Sequence, residues 1–318
     1  MADAAGTALD QDCSFFELDF VDAVGARRQE SLTTCWNVAF ESVDPVRSFR
    51  WAKGQKHFPG WWWSATSARH VGYESWLERD RAMLLDFDRE VAGFASQPFW
   101  LHWQDTKRWR RHAPDFFARN RDGAGGVVDV RADDRIEVRD AEAFKVMAEA
   151  CAEVGRAFRR VGVADPVLAA NVRWLSRYRH PRNGARQDIA EALLAIFSEP
   201  TPLFVGAETV GDRIAVLPVL FHLLWQQRLV TDLTRAPLSA AATALLVQYG
   251  RGRHSADRSE GLGEQDPREN TADKSAQDIL MLFSMIPGEA VDEELIGSNP
   301  CRNGPTPPPT KRTRRPGG

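Results

Sequence analysis

Cysteine is scarce in this chain, and its few cysteines form no recognisable motif. The four residues, Cys13, Cys35, Cys151 and Cys301, include no CxxC pair, so neither a structural zinc site nor a disulfide framework is predicted. The chain also lacks an apolar run near the roughly 20 residues that span a bilayer. Its acidic first residues carry no apolar signal-peptide core. We therefore expect a cytoplasmic protein without a membrane partner.

An excess of positive charge is also missing. The formal net charge is −3, so affinity for nucleic acid has to come from local basic patches. The 318 residues are 43% hydrophobic and 27% charged, which is typical of soluble proteins with one large or two medium domains. Tryptophan is abundant, with 11 residues, and several of them lie next to basic residues.

The hydrophobic pattern predicts an α/β domain over residues 13–180, between a disordered segment at 1–12 and a second small domain. The predicted elements of this domain are strands at 15–21 and 33–40 with a turn at 25–28, a helix at 72–86, strands at 91–103, 114–118 and 127–130, a helix at 141–161, a strand at 167–168 and a helix at 171–178. A mixed central sheet is expected. The helix at 72–86 carries an apolar stripe that includes Met83 and Phe87.

Residues 181–249 are predicted to form the second domain. Helices at 185–198 and 214–227, followed by a hairpin from 229–233 to about Leu238, suggest a small winged helix. The second helix contains no Lys or Arg, and reading a DNA groove needs such donors. We expect it to pack or to dock protein. Residues 250–318 have the composition of a disordered tail, in which the apolar segment 279–286 is a candidate partner-binding element.

The residues with the strongest chemical signal are acidic. Glu78 lies on the predicted helix, Asp115 follows a proline at a strand start, and Asp129 lies two residues before Arg131 on the next strand. Carboxylate oxygens are the ligands that hard divalent cations prefer, and such cations promote phosphodiester hydrolysis. The spacing alone leaves an ordinary alternative open, in which Asp115 satisfies a turn, Asp129 and Arg131 form a surface ion pair, and Glu78 is solvated.

Basic and aromatic residues precede these carboxylates. Lys107, Arg108, Arg110 and Arg111 surround Trp109, and phosphate contacts and base stacking use these residue types. The alternative for this run is a solvated hairpin turn. Arg69 follows the run Trp61-Trp62-Trp63 and comes shortly before the predicted helix, where a phosphate contact is favoured. The three tryptophans are candidates to line DNA, although such clusters more often lie half-buried at a sheet edge.

Several segments match one known family in order and spacing. The matching segments are Tyr73–Asp80, Leu84–Asp88, Ser96–Phe99, His112–Phe117, Val127–Arg131 and Asn171–Leu175. Through them, residues from about 15 to 245 resemble the TnsA-like endonuclease subunits of heteromeric transposases, in the PD-(D/E)xK superfamily. The resemblance implies a restriction-endonuclease-like mixed sheet flanked by helices, followed by a winged-helix-like domain. It also implies two Mg²⁺ ions, replaceable by Mn²⁺, and cleavage of one strand of double-stranded DNA at transposon ends.

The partners that the resemblance implies are an integrase-like transposase subunit and an AAA+ ATPase regulator, which would associate the protein with the nucleoid. Position by position, it assigns metal-binding roles to Glu78, with Glu74 as the fallback, and to Asp115 and Asp129. Arg131 stands where the family normally has lysine. Because a guanidinium is not deprotonated in proteins, Arg131 could hold a phosphate or orient the nucleophile but could not act as a base.

Two further functions remain open from the sequence. The first is a catalytically weakened, nuclease-like subunit that binds DNA and bridges transposase partners, which the replacement of lysine by Arg131 favours. The second is a restriction or repair nuclease unconnected with mobile DNA, for which the genes beside this one would be the test.

Overall fold

The computed structural model describes residues 15–49, 58–105 and 108–247, and all of them belong to one unit of the chain. The predicted disordered residues 1–12 and the predicted tail at 250–318, with its segment 279–286, lie outside the described residues. The described chain mixes helices with several sheets, which confirms the predicted α/β class. No helix in the described ranges has the length and apolarity needed to cross a membrane.

The strands are β1 Glu17–Val21, β2 Arg27–Ser31, β3 Gly60–Ser64, β4 Arg69–Tyr73, β5 Val91–Ser96, β6 Phe99–Asp105, β7 Arg108–His112, β8 Phe116–Asn120, β9 Gly125–Val130, β10 Ala157–Val161, β11 Thr201–Pro202, β12 Leu229–Val230 and β13 Thr243–Leu246. The helices are α1 Leu32–Cys35, α2 Trp76–Phe87, α3 Val138–Glu153, α4 Pro166–Leu175, α5 Gln187–Ile196, α6 Leu203–Val210 and α7 Arg213–Trp225. Short 3₁₀ turns lie at Phe40–Ser42, Asp133–Arg135, Ser176–Tyr178 and Pro181–Gly184.

Two four-stranded sheets form the first part of the fold. One has the order β10-β9-β8-β5, in which β10 runs parallel to β9 and the other pairs are antiparallel, so the predicted mixed sheet is confirmed. The other is antiparallel, with the order β2-β1-β6-β7. Strands β3 and β4 form a separate hairpin, and β11, β13 and β12 form a small third sheet.

Helix α2 has a well-defined start. The Ser75 hydroxyl accepts a hydrogen bond from the Glu78 backbone N–H (3.2 Å), and the Glu78 carboxylate accepts one from the Ser75 hydroxyl (2.8 Å). Ser75 is therefore the N-cap of the helix. The helix begins at Trp76, four residues later than the sequence predicts, because Gly72 and Tyr73 belong to β4. Trp76, which helical spacing also places on the apolar stripe, is 52% exposed.

Helix α2 contributes side chains to two hydrophobic cores. Ala82 packs with residues of β5, β8 and β9, including Phe94, Phe116 and Val128. Met83, Leu84 and Phe87 instead belong to a large core that consists otherwise of residues from α4 to β13. A third core lies between the antiparallel sheet and α3 and includes Phe40, Phe117 and Met147. The helix that carries Glu78 is therefore fixed from both sides.

Several predicted elements in the first half are wrong in position or type. The predicted strand at 33–40 is the short helix α1 followed by irregular chain, because Leu32 and Cys35 are buried one helical turn apart while Thr33 and Thr34 are exposed. The predicted turn at 25–28 lies earlier, since Asp22 accepts backbone hydrogen bonds from Val24 and Ala26 and β2 begins at Arg27.

Two further corrections concern longer segments. The single strand predicted at 91–103 is two strands, β5 and β6, which belong to different sheets and are separated at Gln97. The helix predicted at 141–161 ends at Glu153, where Gly155 adopts a left-handed φ of 65° that favours glycine. The residues that follow form β10 instead.

The predicted strand at 167–168 lies within α4, whose start is capped by Asp165 and preset by Pro166. Helices α5 and α7 confirm the two predicted in the second domain, and α6 between them was missed. The predicted hairpin is present, but β12 pairs with β13 at Thr243–Leu246 and not with residues near Leu238. Helix α7 is buried along most of its length, from Val216 to Trp225, as a packing helix should be.

Candidate active site

The predicted acidic residues converge where α2 begins, β8 begins and β9 ends. Phe116 of β8 pairs with Val128 of β9 in an antiparallel register, so Asp115 and Asp129, one step further, lie opposite each other. The Asp115 backbone N–H donates to Asp129 Oδ1 (3.2 Å). Like charges directly opposite on neighbouring strands are unfavourable, so this pairing needs a compensating positive charge or a proton.

Glu78 lies in the first turn of α2, and both of its carboxylate oxygens accept hydrogen bonds. One comes from the Ser75 hydroxyl and the other from the Glu74 backbone N–H (2.7 Å). Burial raises the pKa of Glu78, the Glu74 carboxylate raises it further, and Arg47 opposes both effects. A half-buried glutamate with a raised pKa binds protons more readily than usual, and a cation can replace the proton.

Asp115 is the most perturbed carboxyl group of the site. Its Oδ2 accepts a hydrogen bond from the Val130 backbone N–H (2.7 Å). Burial raises its pKa well above the usual value, and the charges of Glu78 and Asp129 raise it further, against the Val130 N–H and Arg47. Perturbation of an acid by other acids in one cleft is typical of functional sites.

Asp129 is 1% exposed, and both of its carboxylate oxygens are engaged. Oδ1 accepts from the Asp115 N–H, and Oδ2 lies 2.9 Å from His112 Nε2. Asp129 thus connects the Asp115 backbone to the His112 ring. His112 stands in the sequence motif, but no pattern in the sequence connects it with Asp129.

The structure does not bring Arg131 into contact with the carboxylates. Its Nη2 donates to Asp140 Oδ2 (2.7 Å), and its Nε donates to the Arg135 carbonyl (3.1 Å). Strand β9 ends at Val130, and the Arg131 N–H continues the pairing by donating to the Val161 carbonyl (2.9 Å). Arg131 therefore fastens the start of α3 to the end of β9.

Two residues that the sequence did not assign to the site lie beside it. Arg47 donates from Nε to Gln97 Oε1 (2.9 Å) and from Nη2 to Glu74 Oε2 (2.7 Å). Gln97 is 1% exposed and has a left-handed φ of 46°, which is uncommon for residues other than glycine. Its backbone N–H donates to the Asp115 carbonyl (3.0 Å). Glu74, the fallback ligand, precedes the helix and is the ion-pair partner of Arg47.

The predicted DNA-binding residues do not form a single patch. Side chains alternate between the two faces of a strand, so Arg108 and Arg110 of β7 lie on one face and Arg111 on the other. Arg110 pairs with Asp105 (3.4 Å), while the Arg111 guanidinium lies 4.3 Å from the centre of the Trp100 ring. Lys107 lies outside the described residues.

The Arg69 side chain contacts neighbouring residues of the protein. Its Nη1 donates to the Ser42 carbonyl, and its Nη2 lies 3.3 Å from Asp44 Oδ1. These contacts tie β4 to the segment that leads to Arg47.

The three consecutive tryptophans have separate environments. Trp61 is 57% exposed. Trp62 donates to Asp86, and the Arg179 guanidinium lies 4.2 Å from the centre of its ring. Trp63 stacks on His180, with 5.0 Å between the ring centres. Of the three, only Trp61 exposes its ring enough for a nucleic-acid base to stack on it.

The fit of these residues to a divalent cation is partial. No group of three His, Cys, Asp or Glu side chains among residues 15–49, 58–105 and 108–247 is arranged to hold a metal ion. The donor chemistry of Glu78 and Asp115 nevertheless fits such an ion, because two hard oxygen donors repel each other at this position. Asp115 Oδ1 accepts no hydrogen bond from the described residues. Asp129 and Glu78 each have one hydrogen bond to each carboxylate oxygen, which leaves a second lone pair on each oxygen for an ion.

Two comparisons with known proteins add no further assignment. The chain matches no model of a known protein family, and no curated protein has a similar sequence. The function therefore has to be argued from the geometry of Glu78, Asp115 and Asp129 and from the motifs in the sequence.

Proposed function

We propose that this protein is a metal-dependent DNA endonuclease subunit of a heteromeric transposase, which hydrolyses one strand at transposon ends. The observation that supports this most directly is the pairing of Glu78 with Asp115. Glu78 in the first turn of α2 lies close enough to Asp115, at the start of β8, for its charge to raise the pKa of Asp115. The order and spacing of the PD-(D/E)xK-like motif agree with that pairing.

In this proposal Glu78 and Asp115 hold Mg²⁺ or Mn²⁺. When bound, such ions lower the pKa of a water molecule and neutralise negative charge at a phosphodiester. Asp129 supports this pair: it accepts from the Asp115 backbone N–H and contacts His112, which fixes the strand ends, while the Val130 N–H holds the Asp115 side chain. The protein thus supplies two ligands and a rigid support for one of them.

The finer fold that we propose is restriction-endonuclease-like for residues 13–180 and winged-helix-like for 181–249. The mixed sheet beside α2 and α3 supports the first part. The second part is supported by its order of elements, which is α5, β11, α6, α7, β12 and β13. Because residues 214–227 contain no Lys or Arg to read a DNA groove, we propose that this part docks protein partners, here the integrase-like transposase and the AAA+ ATPase. A protein with this proposed function would act in the cytoplasm, at the nucleoid.

The first test is cation binding, which needs no partner. The full chain is titrated with Mn²⁺ and Mg²⁺ by calorimetry, and its thermal unfolding is followed with and without each ion. Wild type should bind and be stabilised, and Asp115→Ala and Glu78→Ala should lose both effects. Asp188→Ala is the control, since Asp188 is an exposed carboxylate paired with Arg186 and takes no part in the site. Equal binding by wild type and Asp115→Ala would remove Asp115 from the site.

The second test is cleavage. Single-turnover nicking of a labelled duplex that carries a transposon end is measured with Mn²⁺, with and without the transposase encoded beside this gene. We expect divalent-dependent nicking of one strand by wild type and none by Asp115→Ala. Circular dichroism of the variant checks that its fold is intact.

One competing function has an observation in its favour. Arg131 is bound to Asp140 and the Arg135 carbonyl, which leaves the motif short of a group that a full nuclease site uses. A catalytically weakened subunit that binds DNA and bridges transposase partners fits this. Such a protein would bind transposon ends in the assembled complex, bind cations weakly and leave both strands intact in the second test.

A further inference from the structure

Arg47 is a positive charge held beside the proposed ligands by Gln97 and Glu74, and the sequence motif did not identify it. It lies after the 3₁₀ turn Phe40–Ser42, and its neighbour Val46 donates a backbone hydrogen bond to the Gln97 carbonyl (2.9 Å). The guanidinium then binds two acceptors, Gln97 Oε1 and Glu74 Oε2, at 2.9 and 2.7 Å. Backbone and side-chain bonds therefore fix the position of Arg47 together.

Each acceptor connects Arg47 to one of the proposed ligands. Gln97 donates its backbone N–H to the Asp115 carbonyl (3.0 Å), and Glu74 donates its backbone N–H to Glu78 Oε2 (2.7 Å). A single residue thus connects the guanidinium to each ligand: Gln97 connects it to Asp115, and Glu74 connects it to Glu78. Its charge lowers the pKa of both acids against the effect of burial.

The conformation of Gln97 is arranged for this contact. A left-handed φ at a buried, non-glycine residue carries a conformational cost, and such strain clusters at functional sites. Here it breaks the chain between β5 and β6 and turns the side chain towards Arg47. The Gln97 Nε2 is buried and has no hydrogen-bond partner among the described residues, so a second donor next to Arg47 lacks an acceptor.

Arg47 also has donor capacity left. Among the described residues, none accepts a hydrogen bond from its Nη1, and its side chain is 41% exposed. Its Cζ lies 5.9 Å from the centre of the Trp100 ring, which the Arg111 guanidinium approaches to 4.3 Å. One edge of the guanidinium faces Gln97 and Glu74, and the rest is open to a ligand from solvent.

We propose that Arg47, held by Gln97 and Glu74 beside Asp115 and Glu78, contacts the DNA phosphate that is to be cleaved, in the place of the motif position occupied by Arg131. This rests on the proposed endonuclease function. Arg47 keeps its proton throughout and acts by charge and by donated hydrogen bonds to the phosphate oxygens. Arg131 is committed to Asp140 and the Arg135 carbonyl and is not available for this contact.

The experiment has a binding part and a cleavage part, with wild type, Arg47→Ala, Arg47→Gln, Arg131→Ala and Arg186→Ala. The glutamine variant keeps an amide donor but loses the charge and the guanidinium's two-sided contact with Gln97 and Glu74. Arg186 is the matched control, an exposed arginine paired with Asp188 in α5. Binding of the full chain to an end-carrying duplex is measured in Ca²⁺ over a series of salt concentrations, and nicking is measured in Mn²⁺ with the transposase present.

Removing Arg47 should lower the slope of log K against log salt by about 1 and slow nicking by roughly 100-fold or more. Arg186→Ala should change neither quantity, and Arg131→Ala should leave the slope unchanged. Binding of Mn²⁺ should persist in both Arg47 variants, which a general collapse of the site would not allow.

The outcomes separate the two proposals. If wild type binds DNA and both Arg47 variants keep its slope, the Arg47 proposal is overturned, whatever the cleavage result. If the slope falls but wild type never nicks, Arg47 contacts phosphate and the endonuclease proposal fails. Absence of both binding and nicking in wild type overturns both proposals. If the slope falls for Arg131→Ala but not for Arg47→Gln, Arg131 contacts the phosphate and Arg47 does not.

Discussion

Asp86, at the far end of α2 from Glu78, offers the sharpest test of how this helix is held. Its side chain is buried and accepts four hydrogen bonds from the β3–β4 hairpin. The donors are Trp62 Nε1 (2.9 Å), the Ser64 hydroxyl (2.8 Å), and the backbone N–H groups of Ala65 (3.0 Å) and Thr66 (2.9 Å). Asp86→Ala would leave all four donors without this acceptor.

The magnitude follows from which donors can find water. Ala65 and Thr66 are partly exposed, so their N–H groups can be hydrated, whereas the Ser64 hydroxyl has no such access. Removing one partner of a buried charged network costs about 3–5 kcal/mol. For a domain of this size, we expect the melting temperature to fall by roughly 2–4 °C for each kcal/mol lost. Asp86→Asn should recover only part of this, because an amide nitrogen cannot accept a hydrogen bond.

The free energy of unfolding is measured by thermal and by urea denaturation, and the m-value should be the same in all variants. Asp188→Ala, which removes an exposed carboxylate paired with Arg186, is the control and should have a small effect. If Asp86→Asn is as stable as wild type, the carboxylate does not organise the hairpin and the reasoning is refuted. Full stability of Asp86→Ala would have the same meaning.

Three further outcomes are expected. Glu74→Gln should raise the affinity for duplex DNA several-fold at low salt, because it frees Arg47 from its ion pair. If this variant instead loses Mn²⁺ binding, Glu74 is itself a ligand. Without divalent cations, wild type should lose stability as the pH rises above about 4, the ordinary pKa of aspartate, since the raised pKa of Asp115 means that its ionisation is unfavourable in the folded state. Asp115→Asn should lose less in the same melting series. Burial lowers the pKa of His222, so stability should fall as pH drops below about 6.5, and His222→Gln should flatten that acid limb.

The elements that the sequence predicted best are those whose burial pattern is local. Val127–Val130 is a short, mostly apolar run preceded by two glycines, and it forms most of β9. The regular apolar spacing of Met83, Leu84 and Phe87 predicted α2, although the capping by Ser75 decided where it begins. Predictions failed where a single residue ends an element, as Gly155 does after α3.

For the candidate site, the sequence predicted which carboxylates matter but not how each is used. Glu78 and Asp115 come together as expected, because both stand at the ends of predicted elements. The partners of Asp129 and Arg131 depend on His112 and Asp140, which reach them through strand pairing and the start of α3. Arg47 lies 27 residues before Glu74, in a stretch without periodic pattern, so no local signal connects it to the site.

Helix α2 belongs to two cores at once, and this limits how the protein can be rearranged. Its Met83, Leu84 and Phe87 pack with the helices from α4 onwards, while Ala82 packs on the sheet that carries Asp115. A chimera that exchanged everything after residue 180 for the corresponding part of another protein would leave three large apolar side chains of α2 with only the neighbours that α4 supplies. Exchange between relatives should therefore succeed only when α2 travels with the C-terminal helices or when both are redesigned together.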